Sequence, residues 1–341
     1  MDFSSLALPF LIFIFLLGLF LIVKGGDVFV DAASLIAAKS GIPTFIIGAT
    51  IVSLATTLPE LLVSVFATLH GSAEMAVGNA IGSVTANTGL ILAISLLAMP
   101  SAAPRKTFCA KGLLLLATIT TLFLATRSGV LLPSGQIVLW LLLLAFLAEN
   151  IYATRSCNNT QSGDCPLLAG NSQSETAPTN STDAQAHASE KNILARNILL
   201  FLLGAAGIAA GSQLLVASAT ELAVRLCVPE VVIAVTIVAI GTALPELVTA
   251  LTAIAKKEAG LSAGNILGAN IIDTALILPL CSLLNGGGIS INAQSLIYDI
   301  PVCLLCIAIA VLPTLFTQKF QRWQGGVMLI IYLVYLALVA L

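Results

Sequence analysis

The chain has 341 residues, of which 58% are hydrophobic and only 9% are charged, and its formal net charge is −2. Soluble globular domains usually have about a quarter of their residues charged, so this composition, with a mean hydropathy of +1.06, excludes a soluble globular protein. We therefore expect a multi-pass protein of the cell (inner) membrane. Its expected surroundings are the lipid bilayer, with no nucleic acid and no obligatory protein partner.

Ten apolar runs are long enough to cross a bilayer, which takes about 20 helical residues. They predict transmembrane helices at 5–38, 43–69, 73–99, 107–126, 129–152, 193–224, 228–255, 258–284, 294–316 and 323–341. Between the fifth and sixth runs, residues 156–192 are rich in Ser, Thr and Asn and cannot bury a core. This composition predicts a flexible linker between a first five-helix repeat, 1–155, and a second, 193–341.

The odd number of helices in each half means that the second half enters the membrane from the side opposite to the first. Cytoplasmic loops carry an excess of Lys and Arg. Placing the N-terminus outside puts most of the basic residues in the cytoplasm and leaves Arg127 and Arg225 outside. We therefore expect the linker to be cytoplasmic.

The two halves are also related in sequence. Shifting the first half by 186 positions aligns two motifs, 48–95 and 234–281, without a gap, and positions 47 to 92 contain 18 identities in 46. Both motifs hold Leu-Pro-Glu-Leu followed by Gly-Asn, which apolar composition alone does not explain. Folds of this kind bind substrate near the membrane midplane, between inverted repeats. The sequence thus predicts an all-α integral membrane fold with ten transmembrane helices in two inverted-topology five-helix repeats.

A proline precedes a glutamate in each motif, as Pro59 with Glu60 and as Pro245 with Glu246. Proline has no N–H and its ring clashes with the carbonyl one turn earlier, so we expect each proline to break its helix and free backbone oxygens. Unpaired carbonyls are costly in hydrocarbon. A metal cation is a natural partner for these oxygens, which belong to Ser53, Ala55, Ala239 and Gly241.

Side chains with oxygen atoms recur in helical register near the prolines. Thr56 lies four residues before Glu60, and Thr242 lies four before Glu246, so each pair shares one helix face. On the next helix of each half, positions i, i+4 and i+8 hold Asn79, Ser83 and Asn87, matched by Asn265, Ala269 and Asp273. A GxxxG pattern on the same helices allows close backbone approach. We expect the four segments to converge on one oxygen-rich cavity.

Three acids, Glu60, Glu246 and Asp273, are expected at membrane depth with no basic residue in their segments. Each costs about 2.5–3.5 kcal/mol on the lenient insertion scale, and bound cations or protons neutralise them most cheaply. Carboxylate, carbonyl and amide oxygens suit calcium, whereas zinc and copper favour His and Cys. The pattern indicates a transported ion, and we expect no cofactor and no enzymatic activity.

The segments ATTLPELLVS…GNAIGSVTAN and GTALPELVTA…GNILGANIID resemble the paired motifs of the calcium/cation antiporters. They are similar to the prokaryotic sodium/calcium exchanger branch, whose pattern is G-T-S-L-P-E followed by G-N-x-x-G-S-N-x-x-[N/D]. The resemblance covers both halves and leaves out the linker. It implies ten helices and the exchange of intracellular calcium for extracellular sodium by alternating access at a midplane carboxylate site.

The resemblance also implies a set of cation ligands, by motif position. The calcium ligands would be side-chain oxygens from both halves, those of Glu60, Glu246, Thr56, Thr242, Asn87 and Asp273. The flanking sodium positions would be lined by Ser83 and by the carbonyls of Ser53 and Ala239, and Thr57 is a further candidate cation ligand. Thr57 keeps the hydroxyl of the serine that is usual there.

Three residues depart from the family pattern. Ala243 and Ala269 replace serines, and Val84 stands where Asn is usual. Lost hydroxyls should weaken sodium sites more than a carboxylate site for calcium, so the coupling ion is left open between sodium, protons, and potassium alongside sodium. Calcium/proton exchange is the main alternative, because buried acids can carry protons. A cation channel with an acidic ring is the alternative from another class.

Overall fold

A computed structural model describes residues 7–40, 42–100, 105–159, 183–226 and 243–340. Within these ranges nine helices are long and apolar enough to cross a membrane. The helices are α1 (Leu8–Ser40), α2 (Thr44–Leu69), α3 (Ala73–Ala98), α4 (Arg105–Ala125), α5 (Pro133–Asn159), α6 (Asp183–Arg225), α7 (Leu244–Ala255), α8 (Ala259–Leu284), α9 (Ser295–Thr317) and α10 (Arg322–Ala340). Two short strands, β1 (Val130–Leu131) and β2 (Ile289–Ser290), lie between helices.

The all-α membrane fold predicted from the sequence is confirmed, with most helix ends within a few residues of the prediction. The helix predicted at 228–255 is described only from Leu244 onwards, since 227–242 lie outside the described residues. The ends of the predicted linker, 156–192, are helical, because α5 continues to Asn159 and α6 begins at Asp183. The sequence of the second end, DAQAHASEK, contains three Ala together with Gln, Glu and Lys, all residues of high helix propensity.

Large apolar side chains cover the outer faces of the helices. On α1, Phe13, Leu16 and Phe20 are each more than half exposed. Soluble monomers rarely expose apolar patches of this extent. Lipid covers such a surface in a multi-pass membrane protein.

Helices α1 and α6 pack against each other along their lengths. A Cβ added to Gly18 would lie 3.0 Å from the carbonyl oxygen of Gly211, and one added to Gly25 would lie 3.0 Å from that of Gly204. Residue numbers therefore rise along one helix as they fall along the other, so the helices are antiparallel. Their backbones touch because glycine leaves no side chain between them.

Strands β1 and β2 join the two halves at one end of the molecule. They pair antiparallel, with Val130 opposite Ser290 and Leu131 opposite Ile289. The side chain of Gln136 strengthens this junction by donating hydrogen bonds to the Ser282 hydroxyl (2.7 Å) and to nearby carbonyl oxygens. Since β1 follows α4 and β2 follows α8, the last turns of these helices lie on the same side of the membrane, as inverted five-helix repeats require.

The glycine contact predicts a sharp difference between two alanine substitutions in the same helix pair. Gly25→Ala places a methyl group 2.9 Å from the Ile208 nitrogen, whereas at Gly207 the nearest atoms lie at 3.4 Å and beyond. Overpacking costs about 1–3 kcal/mol, so we expect Gly25→Ala to lower the melting temperature in detergent and Gly207→Ala to leave it almost unchanged. Equal melting temperatures for the two variants would contradict this packing.

Candidate cation site

Helix α2 continues through Pro59 without a break. Its segment Ser53–Leu69 is α-helical with Pro59 inside it, and it follows a π-helical turn at Gly48–Val52. The Ser53 carbonyl oxygen accepts a hydrogen bond from the Thr57 hydroxyl at 2.6 Å, a common use of Thr one turn further on. The expectation that Pro59 interrupts the helix and leaves the Ser53 carbonyl free is therefore wrong for this structure.

The second motif begins differently. Helix α7 starts at Leu244, with Pro245 in its first turn and Ala243 just outside the helix. Proline is well tolerated there because the first N–H groups of a helix have no internal partner. Helix α7 therefore begins one residue before Pro245, and the predicted break of a preceding helix falls on 227–242, outside the described residues.

Glycines bring the two halves together at the site. A Cβ on Gly268 of α8 would lie 2.6 Å from the Ala49 carbonyl oxygen of α2, and a Cβ on Gly48 would lie 2.5 Å from the Leu261 carbonyl oxygen. Helices α2 and α8 therefore cross with their backbones in contact. In the first half, Gly78 and Gly82 have no described heavy atom within 4 Å of such a Cβ; the segment that the repeat would place against them lies within 227–242.

This crossing buries three acids almost completely. The exposed fractions are 2% for Glu60, 1% for Glu246 and 1% for Asp273. Glu60 lies close enough to the other two for their charges to interact. No Lys or Arg in the described ranges forms an ion pair with any of them.

Several buried oxygen atoms of the acids and of other predicted ligands have no hydrogen-bond partner within the described residues. Among the described residues no partner is found for both carboxylate oxygens of Glu60 and of Asp273, or for Oε2 of Glu246, Oδ1 of Asn87 and Oγ of Ser83. Buried acceptors in proteins are nearly always paired. Unpartnered oxygens on three neighbouring acids from both repeats make this region the candidate site for a cation or a proton.

Hydrogen bonds of Thr56 and Asn79 hold the polar side chains around this site in place. The Thr56 hydroxyl lies 3.2 Å from Oδ1 of Asn265, across the two repeats, and it also reaches the Glu246 carboxylate. The Asn79 amide donates to the Ser64 hydroxyl at 2.9 Å and to the Glu60 carbonyl at 3.3 Å. Asn265 and Ser64 were not among the predicted ligands, although Asn265 is in helical register with Asp273.

Asn87 of the first motif and Asp273 of the second each lie where a helix changes its geometry. A π-helical turn begins at Asn87 in α3 and another at Asp273 in α8. Such turns are rare and are frequent at functional sites. They occur at equivalent positions of the two halves, which supports a shared role for Asn87 and Asp273.

Most of the predicted ligands are buried. Those within the described ranges are Ser53, Thr56, Thr57, Glu60, Ser83, Asn87, Glu246 and Asp273. Thr242 and Ala239 lie outside the described residues. No three His, Cys, Asp or Glu side chains in the described part are grouped tightly enough to hold a metal by themselves, so a cation would need hydroxyl, amide or carbonyl oxygens as well, a mixture that calcium accepts.

Comparison with known proteins gives consistent relatives. The family described as sodium/calcium exchanger protein matches residues 10–149 and 196–341. The sodium/calcium exchanger MaX1 of Methanosarcina acetivorans is 30% identical over 95% of this chain and 96% of its own length. The inner membrane protein YrbG of Escherichia coli is 31% identical over 87% of this chain and 86% of its own length.

Solved structures of the sodium-calcium exchanger NCX_Mj have the same fold. One, soaked with 10 mM sodium and no calcium, is 27% identical, covers 96% of this chain and 98% of its own, and superimposes with a TM-score of 0.77. Another, soaked with 2.5 mM sodium and 0.1 mM calcium, gives a TM-score of 0.75 at 27% identity.

The uncompensated oxygens predict that calcium stabilises the purified protein. A ligand that binds only the folded state raises the melting temperature, so we expect added calcium to raise it for the wild type and not for Glu60→Gln or Glu246→Gln. Glu258→Gln is the matched control, because Glu258 lies in the loop before α8. A calcium shift retained in both site variants would show that the site is elsewhere.

Proposed function

Because the chain belongs to the sodium/calcium exchanger family, a family of membrane transporters rather than enzymes, we propose that it is a secondary antiporter that exchanges calcium for sodium across the cell membrane. The transported ions are its partners. The proposed site is the buried group of oxygens between the repeats, with alternating access from the two sides.

One observation carries this proposal. Three carboxylates from the two repeats, those of Glu60, Glu246 and Asp273, are buried close enough for their charges to interact. In the described chain no basic residue pairs with them, and most of their oxygens have no hydrogen-bond donor. Calcium takes about six to eight oxygen ligands in flexible geometry. Glu60, Glu246, Asp273 and Asn87, with hydroxyls such as that of Thr56, offer ligands of this type, and we propose the hydroxyls of Ser83 and Thr57 for sodium.

Exchange would follow from competition for the same carboxylates. One calcium ion or several sodium ions neutralise the acids, and either set allows the site to close and reopen on the other side. An empty site would leave Glu60, Glu246 and Asp273 uncompensated at membrane depth, which is costly. Obligatory exchange therefore results when only the occupied site can change its accessibility.

Helices α1 and α6 are the candidate moving part. They contact each other far more than they contact any other helix. Where α1 meets α7, Gly26 is so close to Val248 and Thr252 that an added Cβ would lie 2.9 Å from each. At this contact α1 has no side chain of its own, and Val248 and Thr252 of α7 supply theirs. We propose that the pair of α1 and α6 slides along the remaining helices.

Calcium/proton exchange is the second candidate function. Glu60 and Glu246 lie near each other without a counter-charge, and a pair of close carboxyl groups readily holds a proton. The buried alanines Ala243 and Ala269 supply no hydroxyl for sodium. Exchange that needs potassium together with sodium is a variant of the first proposal.

Calcium uptake by proteoliposomes tests these proposals. We expect uptake driven by an outward sodium gradient, with potassium present or absent on both sides as a separate arm. Uptake driven by a pH gradient alone would assign proton coupling, and uptake without any counter-ion would assign a channel. Absence of calcium flux under every gradient would overturn the exchanger proposal.

Restoring two hydroxyls is expected to strengthen sodium binding. Ala243→Ser with Ala269→Ser should lower the sodium concentration needed for half-maximal exchange by a few-fold and change calcium affinity little, because weak-field sodium sites depend more on neutral oxygens. Ala253→Ser, at a buried apolar position of α7, is the control. No difference between the double variant and this control would refute the role of the lost hydroxyls.

A further inference from the structure

A hydrogen bond links the two repeats next to the candidate site. Nδ2 of Asn270 in α8 donates to the Thr88 hydroxyl in α3 at 2.9 Å, and neither residue is exposed. Thr88 directly follows Asn87, and Asn270 lies three residues before Asp273. The bond therefore joins the two helices that carry the amide and the acid of the site.

The Thr88 hydroxyl also takes part in the change of helix geometry. It donates to the Val84 carbonyl oxygen at 2.8 Å, at the point where α3 becomes π-helical. In α8 the Thr274 hydroxyl donates to the Asn270 carbonyl oxygen at 2.7 Å, at the equivalent turn. Each half therefore uses a threonine to satisfy a carbonyl one turn earlier, and only the first of these threonines receives a donor from the other repeat among the described residues.

The position equivalent to Asn270 explains this asymmetry. With the offset of 186, Asn270 corresponds to Val84 and Thr88 corresponds to Thr274. Val84 and Thr274 line the same small cavity, with apolar neighbours. A valine is thus accommodated at one of the two positions, whereas the other holds an amide.

Burying the side-chain amide of Asn270 has an energetic cost. Oδ1 of Asn270 finds no hydrogen-bond donor in the described part of the chain, and a buried acceptor without a donor is unfavourable. The equivalent position of the first repeat holds Val84, so packing alone does not require an asparagine at position 270. The bond to Thr88 is the gain that offsets this cost.

We propose that Asn270 is a positioning residue, which fixes α3 at Asn87 through the Thr88 hydroxyl and thereby sets the distance between Asn87 and Asp273. The proposal rests on calcium binding at the candidate site. Without this bond α3 is free to shift relative to α8, and calcium affinity falls while the helices remain assembled.

A matched pair of variants separates positioning from general stabilisation. Asn270→Val removes the bond beside the site. Ser262→Ala removes another buried bond between the same helices, from Ser262 to Ser95 at 3.1 Å, about two turns away from Asn87. Calcium affinity is measured by titrating the melting temperature and by the calcium dependence of proteoliposome uptake.

We expect both variants to lower the melting temperature without calcium. Only Asn270→Val should raise the calcium concentration for half-maximal effect, by roughly fivefold, as for loss of one neutral hydrogen bond, with the maximal uptake rate retained. Equal calcium affinity in the two variants would overturn the proposal. A wild type without any calcium response would instead refute the proposed function.

Two further variants keep the test decisive if Asn270→Val folds poorly. Thr88→Val removes the acceptor of the same bond, so its effect on calcium affinity should not add to that of Asn270→Val in the double variant. Additive losses would contradict the proposal. Combining Val84→Asn with Asn270→Val moves the amide to the equivalent position of the first repeat, where it faces Thr274. This double variant should recover at least half of the calcium affinity lost in Asn270→Val. No recovery would also count against Asn270 as the positioning residue.

Discussion

The interior of a membrane protein can hold a carboxylate only where a counter-charge or a proton neutralises it, and this constraint governs the molecule. Glu60, Glu246 and Asp273 are buried together, and in the described chain no Lys or Arg pairs with them. Elsewhere the chain does provide a partner for a buried charge, since Lys111 binds Glu149 and Asn150. The acids of the candidate site have no such partner among the described residues, and this is the basis for the proposal that a transported ion neutralises them.

The close crossing of α2 and α8 makes this arrangement stable. Hydrophobic burial gives little driving force between helices in lipid, so close packing and hydrogen bonds must hold them together. Glycines such as Gly48 and Gly268 let the backbones touch, and this contact places Thr56 of one repeat against Asn265 of the other. A bulkier crossing would separate the side chains of the two repeats that form the candidate site.

The sequence predicted the helices, the inverted repeat and the segments that form the site, because apolar length and the doubled Pro-Glu pattern depend on local properties. It could not predict that α2 continues through Pro59 while α7 begins just before Pro245, since a proline kinks, ends or is tolerated according to its neighbours. The π-helical turns at Asn87 and Asp273 were also not predicted, because one extra residue per turn depends on tertiary packing. Asn265 and Asn270 match the two asparagines of the family pattern, but the pattern does not say which side chain of the other repeat each one contacts.

The glycine faces of α1 and α6 have a consequence for the synthesis of the chain. Gly18 and its partner Gly211 are almost 200 residues apart, so at about 5–20 residues per second a ribosome needs roughly 10–40 s to make the second after the first. For that time α1 has to remain in the bilayer without its partner, and its lipid-facing side chains, among them Phe13 and Phe20, make this stable. The long apolar surface of α1 therefore stabilises this helix in the bilayer during synthesis, before α1 packs against α6 in the folded transporter.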